Sequence, residues 1–229
     1  MATPAAVDVD GDNKIDYIYA GDQLGNMWRF NVRSATDTDW SASGSITRLF
    51  TTNSGQPITS RPEVGYNLLQ PAGPNQGLVV YFGTGSYIGV GENASTGQTT
   101  QSFYGIFDRT ALRNATLAAA ATADSITRTN LQSQTITGQV NSSGAACTTG
   151  ADCYRLVTQN AVDPATKLGW YLDLIVSGNN NGERQVTTSI LRNGRIIFTT
   201  LLPTSSPCDA GGTSWLMELD AKSGARLSL

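Results

Sequence analysis

The chain has 229 residues, enough to bury a substantial core, and a single domain over residues 1–229 is expected. A hydrophobic fraction of 39%, a charged fraction of 14% and 24 glycines, set among long Ser/Thr/Asn/Gln tracts, favour an extracellular β-protein over a cytosolic helical enzyme. The net charge of −3 argues against a sequence-independent grip on nucleic acid, and the lack of histidine excludes Ser-His-Asp and Cys-His catalysis.

No apolar run approaches the roughly 18 to 20 residues a membrane-spanning helix needs, so no transmembrane segment is expected. The start, Met1-Ala-Thr-Pro-Ala-Ala-Val7, lacks a basic n-region and an apolar h-region. Because an acidic loop follows at once, the N-terminus reads as a cut, with a signal peptide and further domains expected upstream.

That loop, Asp8-Val-Asp-Gly-Asp-Asn-Lys-Ile-Asp16, sets Asp8, Asp10, Asp12 and Asp16 at positions 1, 3, 5 and 9, with the Lys14 carbonyl at position 7. These are the oxygen positions a hard cation uses in EF-hand-type loops, and four close carboxylates repel one another unless a cation or protons intervene. Ca²⁺ is expected over Mg²⁺, since a flexible, oxygen-rich loop suits large, irregular coordination. The loop departs from a true EF-hand: glycine is at position 4 instead of 6, and position 12 is Tyr19, so no bidentate Glu follows. It runs straight into a strand, and a solvated acidic turn is the alternative.

Strand-like segments follow at Ile15–Ala20, Asn26–Val32, Ser45–Thr52, Leu78–Gly83 and Ser102–Asp108, each rich in β-branched or aromatic residues and bounded by turn formers. Between the last two, Gly83-Thr-Gly-Ser-Tyr-Ile-Gly89 superficially suggests a phosphate cradle, but without a βαβ context or a following Gly-Lys-Ser/Thr it reads as a connecting turn. Residues 109–166 read as an insertion, and within them Ala111–Asp124 is the one possible helix, with no clean apolar stripe.

Cys147 and Cys153 are close enough in sequence to close a small disulfide loop; three reduced thiols, or a Cys153–Cys208 pair, are the alternatives left open. Further strands are expected at Tyr154–Thr158, Gly169–Ile175, Arg184–Leu191, Arg195–Leu202 and Ser214–Asp220. Asn193-Gly194 supplies the two positive-φ residues of a type I′ hairpin turn. Trp28, Trp170 and Trp215 read as core packing, and Glu183-Arg184 as a solvated pair or an ion pair at a strand entrance.

Segments Tyr17–Asn31, Val79–Asp108 and Ile196–Asp220 form a loose repeat, each an apolar strand, a Gly-containing connection and an aromatic-bearing strand ending in Asp or Asn. No fixed period emerges, so an all-β fold is expected, a modified β-propeller or part of one with long loop insertions, with a β-sandwich as the alternative.

The run Thr3 to Asp12 followed by Asp16-Tyr-Ile-Tyr-Ala-Gly-Asp-Gln-Leu-Gly-Asn-Met-Trp-Arg-Phe30 resembles the calcium segment of the PilY1-type pilus proteins. So do Tyr81-Phe-Gly-Thr-Gly85, Tyr104-Gly-Ile-Phe-Asp108, Gly169-Trp-Tyr-Leu-Asp173, Gly182-Glu-Arg184 and Pro207–Asp220, so the likeness spans nearly the whole chain. The resemblance implies a secreted or cell-surface, tip-associated biogenesis factor and adhesin of type IV pili, with pilins or minor pilins and a host surface as partners. It also implies a C-terminal propeller whose Ca²⁺ state is linked to extension, retraction and motility, with Asp8, Asp10, Asp12, Asp16 and the Lys14 carbonyl as ligands. No enzyme activity is expected. A quinoprotein dehydrogenase would draw its calcium ligands from separate blades, and an integrin-like propeller adhesin would repeat the loop in blade after blade.

Overall fold

The structure, a computed structural model, describes residues 1–71, 76–89, 91–94, 96–109, 126–147, 152–204 and 212–227. Strands β1 (Ala5–Val7), β2 (Tyr17–Gly21), β3 (Asn26–Asn31) and β4 (Ile46–Thr51) form an antiparallel meander. A second sheet contains β5 (Glu63–Tyr66), β6 (Leu78–Gly83), β7 (Ser102–Asp108), β8 (Gln132–Asn141), β9 (Cys153–Val157) and β10 (Gly169–Val176), in spatial order β5-β6-β7-β10-β8-β9. β11 (Ile190–Arg192), β12 (Arg195–Leu202) and β13 (Thr213–Asp220) form the third, again an antiparallel meander.

Every residue of β6 and β7 is buried, which a sheet achieves only when both faces are covered. Strand alternation divides them: Val79, Tyr81, Phe103 and Phe107 pack with Ile196, Phe198, Met217 and Leu219 of the third sheet. Leu78, Val80, Phe82, Tyr104 and Ile106 pack with Tyr17, Tyr19, Met27 and Phe50 of the first. Phe103 stacks on Phe198 with ring centroids 3.9 Å apart, and Phe50 lies 5.1 Å from Tyr104. Three sheets stacked in chain order, the middle one covered twice, are propeller blades and not a two-sheet sandwich. The three copies of the loose repeat are the β2–β3, β6–β7 and β12–β13 hairpins, one at the heart of each sheet.

The Asn193-Gly194 turn is as expected, with φ of 51° and 73° between the paired Arg192 and Arg195. β1, β5 and β8 were not foreseen. Two are very short, and β8, Gln-Ser-Gln-Thr-Ile-Thr-Gly-Gln-Val-Asn, is nearly all polar because Gln134 and Ile136 alone are fully buried. β8 runs parallel to β10 and pairs antiparallel with β9, so the described part of residues 109–166 contributes two strands to the second sheet. The possible helix Ala111–Asp124 and Cys208 lie outside the described residues. Cys147 and Cys153 are joined in a disulfide, with Cα atoms 5.8 Å apart.

The expected strand Arg184–Leu191 is corrected: only Ile190–Arg192 is strand. Arg184 instead exchanges backbone bonds of 3.0 and 2.8 Å with Leu201, and Gln185 N–H donates to Thr84 O, so this backbone bridges two sheets instead of continuing one. Glu183 and Arg184 are both buried, and Glu183 pairs with Arg155 of β9, whose guanidinium also lies 4.3 Å from the Trp215 ring centroid. In the Gly83–Gly89 turn, the N–H groups of Thr84 and Gly85 donate to Ser102 O and Pro57 O, so these two amides serve the chain itself and are not available to a phosphate.

Trp170 is fully buried beneath the Asp220–Gly224 turn, donating from its indole to Ala221 O at 3.2 Å. Gly224 has a φ of +67°, and a Cβ there would run into the Trp170 ring. Gly224→Ala is expected to destabilise the fold by about 1–3 kcal/mol through overpacking and strain, read as a lower denaturant midpoint. An unchanged midpoint would mean that the turn lifts off the indole freely.

Candidate metal centre in the acidic loop

The loop joins β1 to β2 and is shaped by its own carboxylates. Asp8 accepts from the backbone N–H of Gly11 at 2.7 Å and Asn13 at 2.9 Å, while Asp10 accepts from Asp12 N–H at 3.2 Å. The tight course needs positive φ at Gly11 (78°) and Asn13 (66°), residue types that tolerate it. Asp16 is anchored where the loop meets the sheet: its N–H donates to Val7 O, its C=O accepts from Val32 N–H, and its carboxylate accepts from Val9 N–H at 2.7 Å. It is buried, whereas Asp10 and Asp12 are exposed.

Carboxylate oxygens of Asp8, Asp10 and Asp16 lie within 4.8 Å of one another. Oxygens bound to one calcium ion at 2.3–2.6 Å can be at most about 5 Å apart, so these three residues fit such an ion by chemistry and by span. Asp12 is not in that group. Its carboxylate accepts from the Lys14 ammonium at 2.9 Å and the Lys14 N–H at 2.8 Å, contacts that hold it below the usual carboxylate pKa. Lys14 correspondingly titrates above its ordinary value, its hydrogen bond to Asp12 being the main cause.

Sequence reading missed Arg33, just beyond β3. Its guanidinium lies 3.2 Å from an Asp10 oxygen and 3.3 Å from an Asp16 oxygen. No local spacing signals it, because the β2–β3 pairing is what brings residue 33 back to the loop. Four carboxylates therefore face two cations, Lys14 and Arg33, leaving a surplus of two negative charges at one end of the first sheet. A groove of about 560 Å³ opens beside them, with Ile15, Ile18, Val32 and Trp40 as apolar walls.

Stacked, mainly antiparallel sheets with an acidic loop leading into the first blade define a propeller-type β-domain. The model of the PilY1 β-propeller domain matches residues 1–149, and the chain belongs to that family of type IV pilus biogenesis factors. A PilY1 homolog of Xylella fastidiosa is 34% identical over 231 residues, which cover 96% of this chain and 14% of that protein. The type IV pilus biogenesis factor PilY1 of Pseudomonas aeruginosa PAO1 is 31% identical over 249 residues, covering all of this chain and 21% of its own length. The crystal structure of the P. aeruginosa PilY1 C-terminal domain superposes with a TM-score of 0.77 at 28% identity, over 98% of this chain and 47% of that one. The chain thus spans about one-seventh to one-fifth of the length of these two relatives.

Proposed function

We propose that this chain is the calcium-binding propeller region of a pilus tip-associated biogenesis factor and adhesin, supporting the balance of pilus extension and retraction, motility and surface attachment. The observation that carries the calcium reading is the meeting of Asp8, Asp10 and Asp16 oxygens within 4.8 Å at the entrance to β2. Asp12, after leaving Lys14, and the Lys14 carbonyl are the further oxygen ligands. When bound, the ion supplies two positive charges against the two-charge surplus. The chain's own residues do the rest: Asp8 holds the turn through Gly11 and Asn13, and Asp16 ties it to Val9, so relieving their repulsion fastens the loop to the first sheet.

The proposed partners are pilins or minor pilins and a host surface, and the proposed location is the cell surface or fimbrium. The relatives' names, all type IV pilus biogenesis factors, support this reading. The role is one of binding and not catalysis. In a pilated bacterium, full-length protein carrying Asp10→Ala should reach normal levels, yet change surface pilus number and shrink or enlarge the twitching zone. Normal piliation and twitching would separate the loop from pilus control.

A further inference from the structure

We infer that Arg33 is a resident counter-ion of the acidic loop, one that holds it together without metal and lowers its affinity for calcium. This deepens the calcium reading and rests on it. The Arg33 guanidinium reaches Asp10 Oδ2 at 3.2 Å and Asp16 Oδ1 at 3.3 Å, two of the three residues that fit the ion. Those carboxylates have already committed their other oxygens, Asp10 Oδ1 to Asp12 N–H and Asp16 Oδ2 to Val9 N–H. A cation entering among them competes with Arg33 for these crowded carboxylates, through the lone pairs still open on their oxygens or by displacing the guanidinium.

Two opposite effects follow. Arg33 offsets repulsion among the carboxylates, which steadies the metal-free loop, and it repels a divalent cation from a few ångströms away, which weakens binding. Repulsion dominates for calcium. The incoming ion carries twice the charge of the guanidinium, and the loop's course is already held by the Asp8 bonds to Gly11 and Asn13, in which Arg33 takes no part. An arginine cannot lose its proton near neutral pH, so calcium meets this competitor at every working pH, unlike a proton that could be titrated away. Lys14 is the lesser competitor: its ammonium, far more exposed than the Arg33 guanidinium, is engaged by Asp12 alone, outside the three-carboxylate group, where solvent screens it.

The test is calorimetric titration of calcium into the full chain and its Arg33→Gln and Arg33→Lys variants, with metal-free melting of each. Arg33→Gln should bind calcium at least about tenfold more tightly, while its metal-free form melts lower. Arg33→Lys keeps the charge and should stay near the wild-type affinity, a split that a purely structural role of the side chain would not produce. In the wild type, the Arg33 Nε–H resonance should shift as calcium is added, a readout that needs no variant to fold. Equal or weaker binding by Arg33→Gln, or an unmoved resonance during saturating calcium binding, would overturn the inference and leave the calcium site standing. Failure of all three proteins to bind calcium would overturn the calcium reading and this inference with it.

Discussion

Asp10→Ala is expected to remove most of the calcium-dependent stabilisation of this domain. With calcium a hundredfold above its dissociation constant, linkage adds about 2.7 kcal/mol, and at about 2–4 °C per kcal/mol for a chain of this size the melting temperature rises by roughly 5–10 °C. Chelation should reverse the rise. Asp10 is exposed and gives up one weak loop bond and one of the two carboxylate contacts of Arg33, which keeps Asp16, so its removal tests the metal with little direct cost to the fold. Loss of a charged ligand should weaken binding by about a hundredfold, since removal of even an outer hydrogen-bond partner costs a metal site 10–100-fold. Lys14→Ala should change affinity only slightly, toward tighter binding, because only its backbone oxygen serves the ion and its ammonium, though it occupies Asp12, is exposed and screened by solvent. Equal calcium affinities for wild type and Asp10→Ala would reduce the loop to an acidic turn.

The largest effect on the fold itself is expected from Asp108→Ala. Asp108, at the end of β7, accepts from Arg29 of β3 at 2.9 Å and from the Tyr19 hydroxyl at 2.8 Å, joining the first sheet to the second. The Arg29 and Asp108 side chains are only 8% and 1% exposed, so the variant would leave a guanidinium buried without its carboxylate. Burial already pushes the Tyr19 phenol well above its ordinary pKa, so this tyrosine cannot supply a replacement charge. Breaking a buried pair from one side costs about 3–5 kcal/mol, equivalent to roughly 10 °C or more of melting temperature. The double variant Arg29→Met with Asp108→Leu should recover much of that loss, since the penalty lies in the orphaned charge. A melting temperature unchanged in Asp108→Ala would show that water reaches Arg29 and that the two sheets are held by apolar packing alone.

Local chemistry made much of the molecule legible. The apolar runs Leu78–Gly83 and Ser102–Asp108, the positive-φ pair Asn193-Gly194 and the three aromatic hairpins follow from strand alternation and turn preference, which act over a few residues. The four aspartates are equally local, because they stand within one nine-residue stretch of chain. Contacts made at long range were not legible. β8 is a strand because β10 lies beside it, although its composition is that of a polar loop. Glu183 ignores its neighbour Arg184 for Arg155, 28 residues away in sequence, because the β8–β9 pairing lays that guanidinium against Trp215 in the third sheet. Arg33 reaches Asp10 and Asp16 only through the β2–β3 register, and Asp12 turns away from the other aspartates because Lys14 is close enough to hold it. The sequence by itself therefore determined the β class, the hairpins and the acidic make-up of the loop, since these depend on neighbours along the chain. Only the tertiary structure decided which charges meet, because that depends on strand register and sheet stacking, through which residues far apart in sequence share one small volume.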